Sequence, residues 1–222
     1  MAKSLQVLDR TDLFGSLPPD LLEELAGQTE FRKYERGEHI CRRGEVAREL
    51  WIVFSGRVAI SARATDGRES VMAVLGPGNL FGEMPLFDGE VRSADTRALT
   101  PAHLLAVSYD DVRLVLQTRP EVLWPVTKIM ARRLRSTNEA LADAMFLDVT
   151  GRTAKRLLEI ASDEDEFRMP LTQEELAGMV GASRERVNKA IATFVKLGWL
   201  EVQGRTLYRI LDRAEMQARS RI

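Results

Sequence analysis

Cysteine is nearly absent from this chain of 222 residues, where Cys41 stands alone. A single thiol excludes an internal disulfide and any four-cysteine metal or iron–sulfur site. Histidine is also scarce. His39 and His103 are the only two and lie far apart, so core or surface roles are expected for them rather than a metal or haem set. No run of about 18 apolar residues occurs, which excludes a membrane-spanning helix. The opening Met-Ala-Lys-Ser-Leu-Gln-Val lacks the apolar core of a signal peptide, so a cytoplasmic protein is expected. Neither a nucleophile–base–orienter motif nor a nucleoside-triphosphate loop is present, and no enzymatic activity is expected. There is no overall excess of one charge, the net value being −1.

Hydrophobic residues make up 45% and charged residues 29%, the composition of a globular chain of one or two domains. The near-neutral total hides an asymmetry. From Arg184 onward nine Lys or Arg face four acids, which suits either a phosphate backbone or a plain solvated surface.

Leu13 to Leu25 reads as a short helical cover beginning at Pro18-Pro19-Asp20, since proline is tolerated in a first turn. From Phe31 to Val107 short apolar runs recur at residues 39–41, 50–54, 57–61, 70–75 and 103–107. Turn signals separate them: Arg36-Gly37-Glu38, Arg43-Gly44-Glu45, Ser55-Gly56, Asp66-Gly67 and Gly76-Pro77-Gly78. Many short strands at such spacing predict a jelly-roll-like β domain, a barrel or sandwich. The fold class is therefore α+β, with the β domain over 1–117, a long dimerisation helix over 118–147 and a C-terminal winged helix-turn-helix domain over 148–222.

Tyr109 to Gln117 is expected to be a short helix, followed by a long one from about Glu121 to Phe146. The stripe Leu123, Thr127, Met130, Leu134, Thr137, Leu141, Ala144 steps by fours and threes, the heptad seam of a coiled coil. A homodimer is the expectation, although a buried helix of a single domain would show the same stripe. Thr137 is polar within the seam, setting register or marking where a ligand reaches the axis. Residues 148–151 should break the helix as a hinge. Asp148 or Thr150 would cap the helix Arg152 to Ala161, and Asp163-Glu164-Asp165-Glu166 should be an exposed loop.

Two segments carry chemistry. The first is Gly82-Glu83-Met84-Pro85-Leu86-Phe87-Asp88-Gly89-Glu90-Val91-Arg92-Ser93-Ala94. A buried phosphate must be paired, and arginine offers a planar fork of charge-assisted donors. Ribose hydroxyls need an acceptor, and a carboxylate is a strong one. Arg92 and Glu83 supply these groups, Gly82 lets backbone pass close, and Ser93 adds a hydroxyl. The loop Met84 to Val91 is long enough for a short helix whose N-terminus faces the anion. A buried ion pair tying two strands is the competing reading of Glu83 and Arg92.

The second segment runs from Leu171 to Ala192. Thr172 with Glu175 forms a capping box, Leu176, Met179 and Val180 give an apolar face, and Gly181 marks a turn. Ser183 caps a second helix, with Val187, Ile191 and Phe194 inward and Arg184, Glu185, Asn188 and Lys189 outward. Polar residues on the outer N-terminal face are what major-groove reading requires, while an ordinary αα-hairpin with a charged face would look alike. Residues 198–210 read as a hairpin, a wing that brings Arg205 near phosphate.

The first segment closely resembles the phosphate-binding cassette of cyclic-nucleotide-binding domains. With Gly56, Gly76-Pro77-Gly78-Asn79-Leu80-Phe81, residues 131–138 and Phe146-Leu147-Asp148-Val149-Thr150-Gly151-Arg152, the chain resembles the Crp–Fnr family of transcription regulators in its cyclic-AMP receptor branch, over residues 10 to 215. That resemblance implies a homodimer responding to cyclic AMP, with cyclic GMP as an alternative, binding double-stranded DNA at a two-fold site and acting on RNA polymerase. It places Gly82, Glu83 and Met84 in the cassette, Glu83 on the ribose 2′-hydroxyl, and Arg92 and Ser93 on the cyclic phosphate. Arg133 would approach the phosphate; Thr137, and Asn138 of the partner subunit, would meet the adenine. Arg184, Glu185 and Lys189 would read bases, and Thr172 and Ser183 would contact phosphate. Pro85 removes a loop amide, and Ala73 stands where the receptor carries a hydroxyl. A relative with another effector, or none, and a nucleotide-binding subunit acting on a protein are the alternatives.

Overall fold

The computed structural model describes residues 1–11, 13–15, 17–63, 69–204 and 206–221. The Asp66-Gly67 turn and Arg205, both singled out from the sequence, lie outside the described residues. The chain divides into two compact units, one of residues 1–61 and 74–135, the other of 62–73 and 136–222. No helix among the described residues is long and apolar enough to cross a membrane.

The first unit opens with α1 (Ala2–Asp9) and α2 (Pro19–Gly27). Pro19 occupies the first turn of α2, where its missing N–H costs no helical hydrogen bond. The strands that follow in the chain are β1 (Glu30–Tyr34), β2 (His39–Cys41), β3 (Glu49–Ser55), β4 (Val58–Arg63), β5 (Glu69–Leu75) and β6 (Leu80–Phe81), with residues 62–73, the end of β4 and most of β5, counted in the other unit. Then come α3 (Met84–Asp88), β7 (Asp95–Ala98), β8 (Ala102–Ser108) and α4 (Tyr109–Thr118). A 3₁₀ turn, Pro120–Val122, leads into α5 (Leu123–Phe146), which runs through the division between the units.

Two four-stranded sheets result, ordered β1-β8-β3-β6 and β2-β7-β4-β5. They are two open sheets rather than the closed barrel that the jelly-roll expectation allowed. The central strands β3 and β8 explain why. Trp51 and Val53 of β3, with Leu104 and Ala106 of β8, join a core shared with Cys41, Val58 and Ala98 of the other sheet. Their alternates Leu50, Ile52, Leu105 and Val107 pack with α1, α2 and α4 residues such as Leu8, Leu22 and Val112. A strand buried on both faces reads as an unbroken apolar run, and period-2 geometry divides it between two cores. β1, β6 and β7 are too short or too polar for a sequence signal, and α1 was not expected.

The second unit contains α6 (Val149–Ala161), β9 (Glu166–Arg168), α7 (Gln173–Val180) and α8 (Arg184–Lys196). It ends with β10 (Leu200–Gln203), β11 (Leu207–Ile210) and α9 (Arg213–Arg219). β10 and β11 form the expected hairpin, and β9 adds a third strand to give the order β10-β11-β9. Glu166 thus starts a strand, which shortens the expected acidic loop: Tyr208 pairs with Phe167 across it. The expected hinge at 148–151 is also corrected. Helix returns at Val149, because the Asp148 side chain accepts the Gly151 N–H at 2.7 Å and caps α6. The break is confined to Leu147 and Asp148. Val187, Ile191 and Phe194 of α8 are buried as expected, each stabilising the unit by roughly 1.5–3 kcal/mol.

Candidate ligand-binding and nucleic-acid sites

Gly82 sits at φ +78°, and a Cβ there would lie 2.7 Å from Arg92 Nη1 and 2.9 Å from the Trp51 ring. Only glycine fits both the backbone and the space. This close approach lets Arg92 reach inward. Its Nη1 donates to the Gly82 carbonyl at 2.8 Å and to the Tyr109 hydroxyl at 3.1 Å. Its Nη2 donates to the Glu49 carbonyl at 2.7 Å. The guanidinium lies 4.2 Å over the Trp51 ring, a cation–π contact of about 1–2 kcal/mol when desolvated. Burial pushes the Tyr109 hydroxyl up to about 12, so at neutral pH it keeps the proton that it donates to the Gly82 carbonyl.

Arg92 is 5% exposed, yet no carboxylate lies within ion-pair distance of it among the described residues. Three of its five N–H donors are used, leaving two. A desolvated cation without a counter-ion is costly, and an arriving anion would relieve that cost. The alternative of a Glu83–Arg92 ion pair is therefore not what the chain forms.

Glu83 instead pairs with Arg133 of α5. Arg133 also donates to the Leu80 carbonyl at 2.5 Å, so it bridges α5 to the segment before the cassette. Glu83 is 2% exposed, and its Oε2 atom has no hydrogen-bond partner. Burial raises its pKa and outweighs the opposing attraction of Arg133. A buried carboxylate oxygen with an unfilled lone pair is a ready acceptor for a hydroxyl.

The loop does fold into a short helix, α3, closed by Gly89 in the left-handed region. Pro85 falls in its first turn, where an N–H has no intrahelical acceptor, so the lost amide costs the helix nothing. Met84 and Ser93 are exposed and meet each other, the Ser93 hydroxyl donating to the Met84 sulfur at 3.8 Å. Thr137 and Asn138 follow Arg133 by about one turn of α5 and are exposed. The structure thus brings Gly82, Glu83, Arg92 and Arg133 together and places Met84 and Ser93 on the loop between. Trp51, Tyr109 and the Glu49 and Leu80 carbonyls complete the cage. Sequence reasoning missed them because they sit 17 to 53 residues from the arginine they meet, in strands β3 and β6 or at the start of α4, with no motif of their own.

In the second unit, Thr172 accepts from the Glu175 N–H at 3.2 Å, and Glu175 accepts from the Thr172 N–H at 2.6 Å, completing the capping box. Gly181 takes the left-handed conformation at φ 70°. Ser183 caps α8 by accepting from the Arg186 N–H at 3.4 Å. Both capping hydroxyls only accept in these bonds, so each keeps a hydrogen to donate. Arg184, Glu185, Asn188 and Lys189 are all exposed on one side of α8. The basic surplus is partly consumed: Arg209 pairs with Glu166 and Glu201, Arg213 with Asp165, and Arg219 with Asp148. The free positive surface therefore concentrates on α8 rather than on the C-terminal tail.

Known proteins match both units. Residues 31–119 match the cyclic nucleotide-binding domain, and residues 151–219 match the Crp-like helix-turn-helix domain. A CRP-like cAMP-activated global transcriptional regulator of Mycobacterium tuberculosis is 37% identical, covering 97% of this chain and 99% of that protein. The c-di-GMP responsive regulator CLP of Xanthomonas campestris is 28% identical with a TM-score of 0.72, over 87% of this chain and 99% of that one. FixK2 of Bradyrhizobium japonicum shares the fold with a TM-score of 0.81 at 19% identity, over 87% of this chain and 98% of that one. The chain belongs to the Crp–Fnr family of transcription regulators.

Proposed function

We propose that this regulator is a homodimer switched by cyclic AMP, which seats in the Gly82–Arg92 cage and sets two α8 helices for a two-fold DNA site. The observation that carries the reading is the pair of incomplete buried charges. Arg92 lacks an anion and keeps two donors, and Glu83 keeps a vacant acceptor atom. A cyclic phosphate and a ribose hydroxyl satisfy both at once. Ser93 adds a phosphate donor, Met84 and Gly82 shape the loop, and Arg133 supplies positive charge beside Glu83. Thr137, and Asn138 of the partner subunit, contact the base. The relative of Mycobacterium tuberculosis is cAMP-activated, which supports this effector over cyclic GMP.

Dimerisation is supported by the exposed seam of α5, where Leu134 is 63% and Leu141 57% exposed in the single chain. Such apolar rows are normally covered. The three-part division at 117/118 and 147/148 is the working frame: effector domain, dimer helix, reader. Arg184, Glu185, Asn188 and Lys189 read base edges, Thr172 and Ser183 donate to phosphates, and Arg205 completes the phosphate contacts. RNA polymerase is the downstream partner and the cytoplasm the site of action.

The mechanism is a population shift. Ligand can favour the DNA-competent arrangement only by as much as it binds that arrangement more tightly. The test is DNA affinity with and without cyclic AMP. At least tenfold tighter binding with ligand is expected, and equal affinities would remove the switch. One observation favours a second reading, a regulator driven by another effector: Arg133 already compensates Glu83 without any nucleotide. Calorimetry with cyclic AMP, cyclic GMP and c-di-GMP separates the two readings.

A further inference from the structure

Arg92 meets a hydroxyl in Tyr109, where a bare aromatic ring would pack as well. Tyr109 is 2% exposed and opens α4 directly after β8. Backbone ties fix its position. Its N–H donates to the Arg48 carbonyl at 2.9 Å, and Ser108 before it pairs with Glu49 in the β3–β8 ladder. The Ser108 hydroxyl caps α4 by accepting the Asp110 N–H at 3.1 Å. The ring is therefore placed by a sheet and a helix start, and its hydroxyl is free to serve Arg92.

That hydroxyl works in two directions. It accepts from Arg92 Nη1 and donates to the Gly82 carbonyl, which also accepts from Nη1. The three groups close a triangle. One corner is the cation that would hold a phosphate. Another is the peptide that leads into Glu83, the carboxylate that would hold a ribose hydroxyl. Arg92 Nη2 is tied separately to the Glu49 carbonyl, and the Trp51 ring covers one face of the guanidinium. The Nε–H has no partner among the described residues, so the edge from Nε to Nη2 is the one left for an anion. Each acceptor around Arg92 is a neutral oxygen. They aim the guanidinium without cancelling its charge, and a planar fork binds phosphate well only when it is aimed.

We propose that Tyr109 is a positioning residue, whose hydroxyl locks the Arg92 fork and the Gly82–Glu83 peptide in binding geometry before any ligand arrives. Preorganisation of this kind means that less ordering is lost on binding. The effect on affinity rests on the nucleotide reading; the locking of Arg92 does not.

Two measurements on the full-length protein test the role. The first is nitrogen NMR of arginine-labelled protein without nucleotide, reading rotation about the Arg92 Nε–Cζ bond, with the signals assigned by their loss in Arg92→Leu. Slow rotation with separate Nη1 and Nη2 signals is expected in the parent, and rotation at least about tenfold faster in Tyr109→Phe. The second is calorimetry with cyclic AMP. Affinity should fall at least about tenfold in Tyr109→Phe. Added to Arg92→Lys, the same substitution should weaken binding by less than about twofold, because the hydroxyl acts through a fork that lysine lacks. A merely structural role would weaken both backgrounds alike and leave rotation unchanged. Phenylalanine keeps the buried ring, and circular dichroism melts confirm that each variant folds. Fast rotation in the parent, unchanged rotation in Tyr109→Phe, or equal losses in the two backgrounds would each overturn the proposal. Slow rotation in a parent that binds no cyclic AMP would sink the nucleotide reading instead, and the rotation rates would then decide the role of Tyr109 alone.

Discussion

Arg133 holds one oxygen of the Glu83 carboxylate and leaves the other, Oε2, buried and without a partner. The arrangement is half of a binding site. Arg133 attracts the carboxylate charge, while burial makes that charge expensive and prevails in raising the Glu83 pKa.

The cost is visible in pH. The folded pKa of Glu83 is raised above its ordinary 4.5. A raised carboxylate favours folding below the unfolded value and loses that contribution as pH rises through the folded value. Glu83→Gln removes this dependence. The melting temperature of the parent protein, compared with that of Glu83→Gln, should decline as pH rises from 4.5 toward neutrality. A difference that is flat or grows over that window would contradict the burial argument.

Gly82→Ala places a methyl group 2.7 Å from Arg92 Nη1 and 3.0 Å or less from two Trp51 ring carbons, at a positive φ. Strain at such a position costs on the order of 1–3 kcal/mol, before any displacement of Arg92 is counted. Urea unfolding should show a loss of at least about 2 kcal/mol. Nucleotide binding should fall with it.

Asp148 shows the opposite electrostatics. The Gly151 N–H first, and then Arg219, hold its carboxyl below the ordinary 3.8. A lowered carboxylate stabilises above its unfolded pKa and loses that contribution as pH falls through the folded value. The side chain is well exposed, so solvent screens the Arg219 pair and the cap dominates. Asp148→Ala should cost about 1 kcal/mol at pH 7. The gap should close below pH 3.8, as measured by thermal melts of both proteins.

The outer face of α8 predicts separable effects on DNA. Arg184→Ala should cost about 1–3 kcal/mol and relax preference at one base position. Thr172→Ala should weaken all sequences alike and also cost about 1 kcal/mol of stability through its capping box. Binding assays on single-substitution duplexes at several salt concentrations measure both. Uniform weakening by Arg184→Ala would reassign that residue to the backbone.

Local features were legible in the sequence, and distant pairings were not. Thr172 announces its capping box because Glu175 stands three residues on, and Ser183 caps α8 because the polar and apolar positions of that helix separate cleanly. The runs of β3 and β8 read correctly as strands, since burial on both faces leaves them apolar throughout. Asp148 was identifiable as a cap, but not that it lets helix resume at Val149. Arg133 pairing with Glu83 spans 50 residues, and no spacing rule reports it. The structure gathers Glu83 and Arg92 around Gly82, yet their partners were hidden in the sequence. Trp51 and Tyr109 look like ordinary core residues until the Gly82 backbone turns inward.

The most direct measurement is calorimetric titration of the purified protein and Arg92→Leu with cyclic AMP. Saturable binding near one nucleotide per chain is expected, weakened at least about 100-fold in Arg92→Leu, since two charge-assisted hydrogen bonds at about 1.5–3 kcal/mol each are lost. Absence of binding to the parent protein, or equal affinity in the folded Arg92→Leu variant, would contradict it.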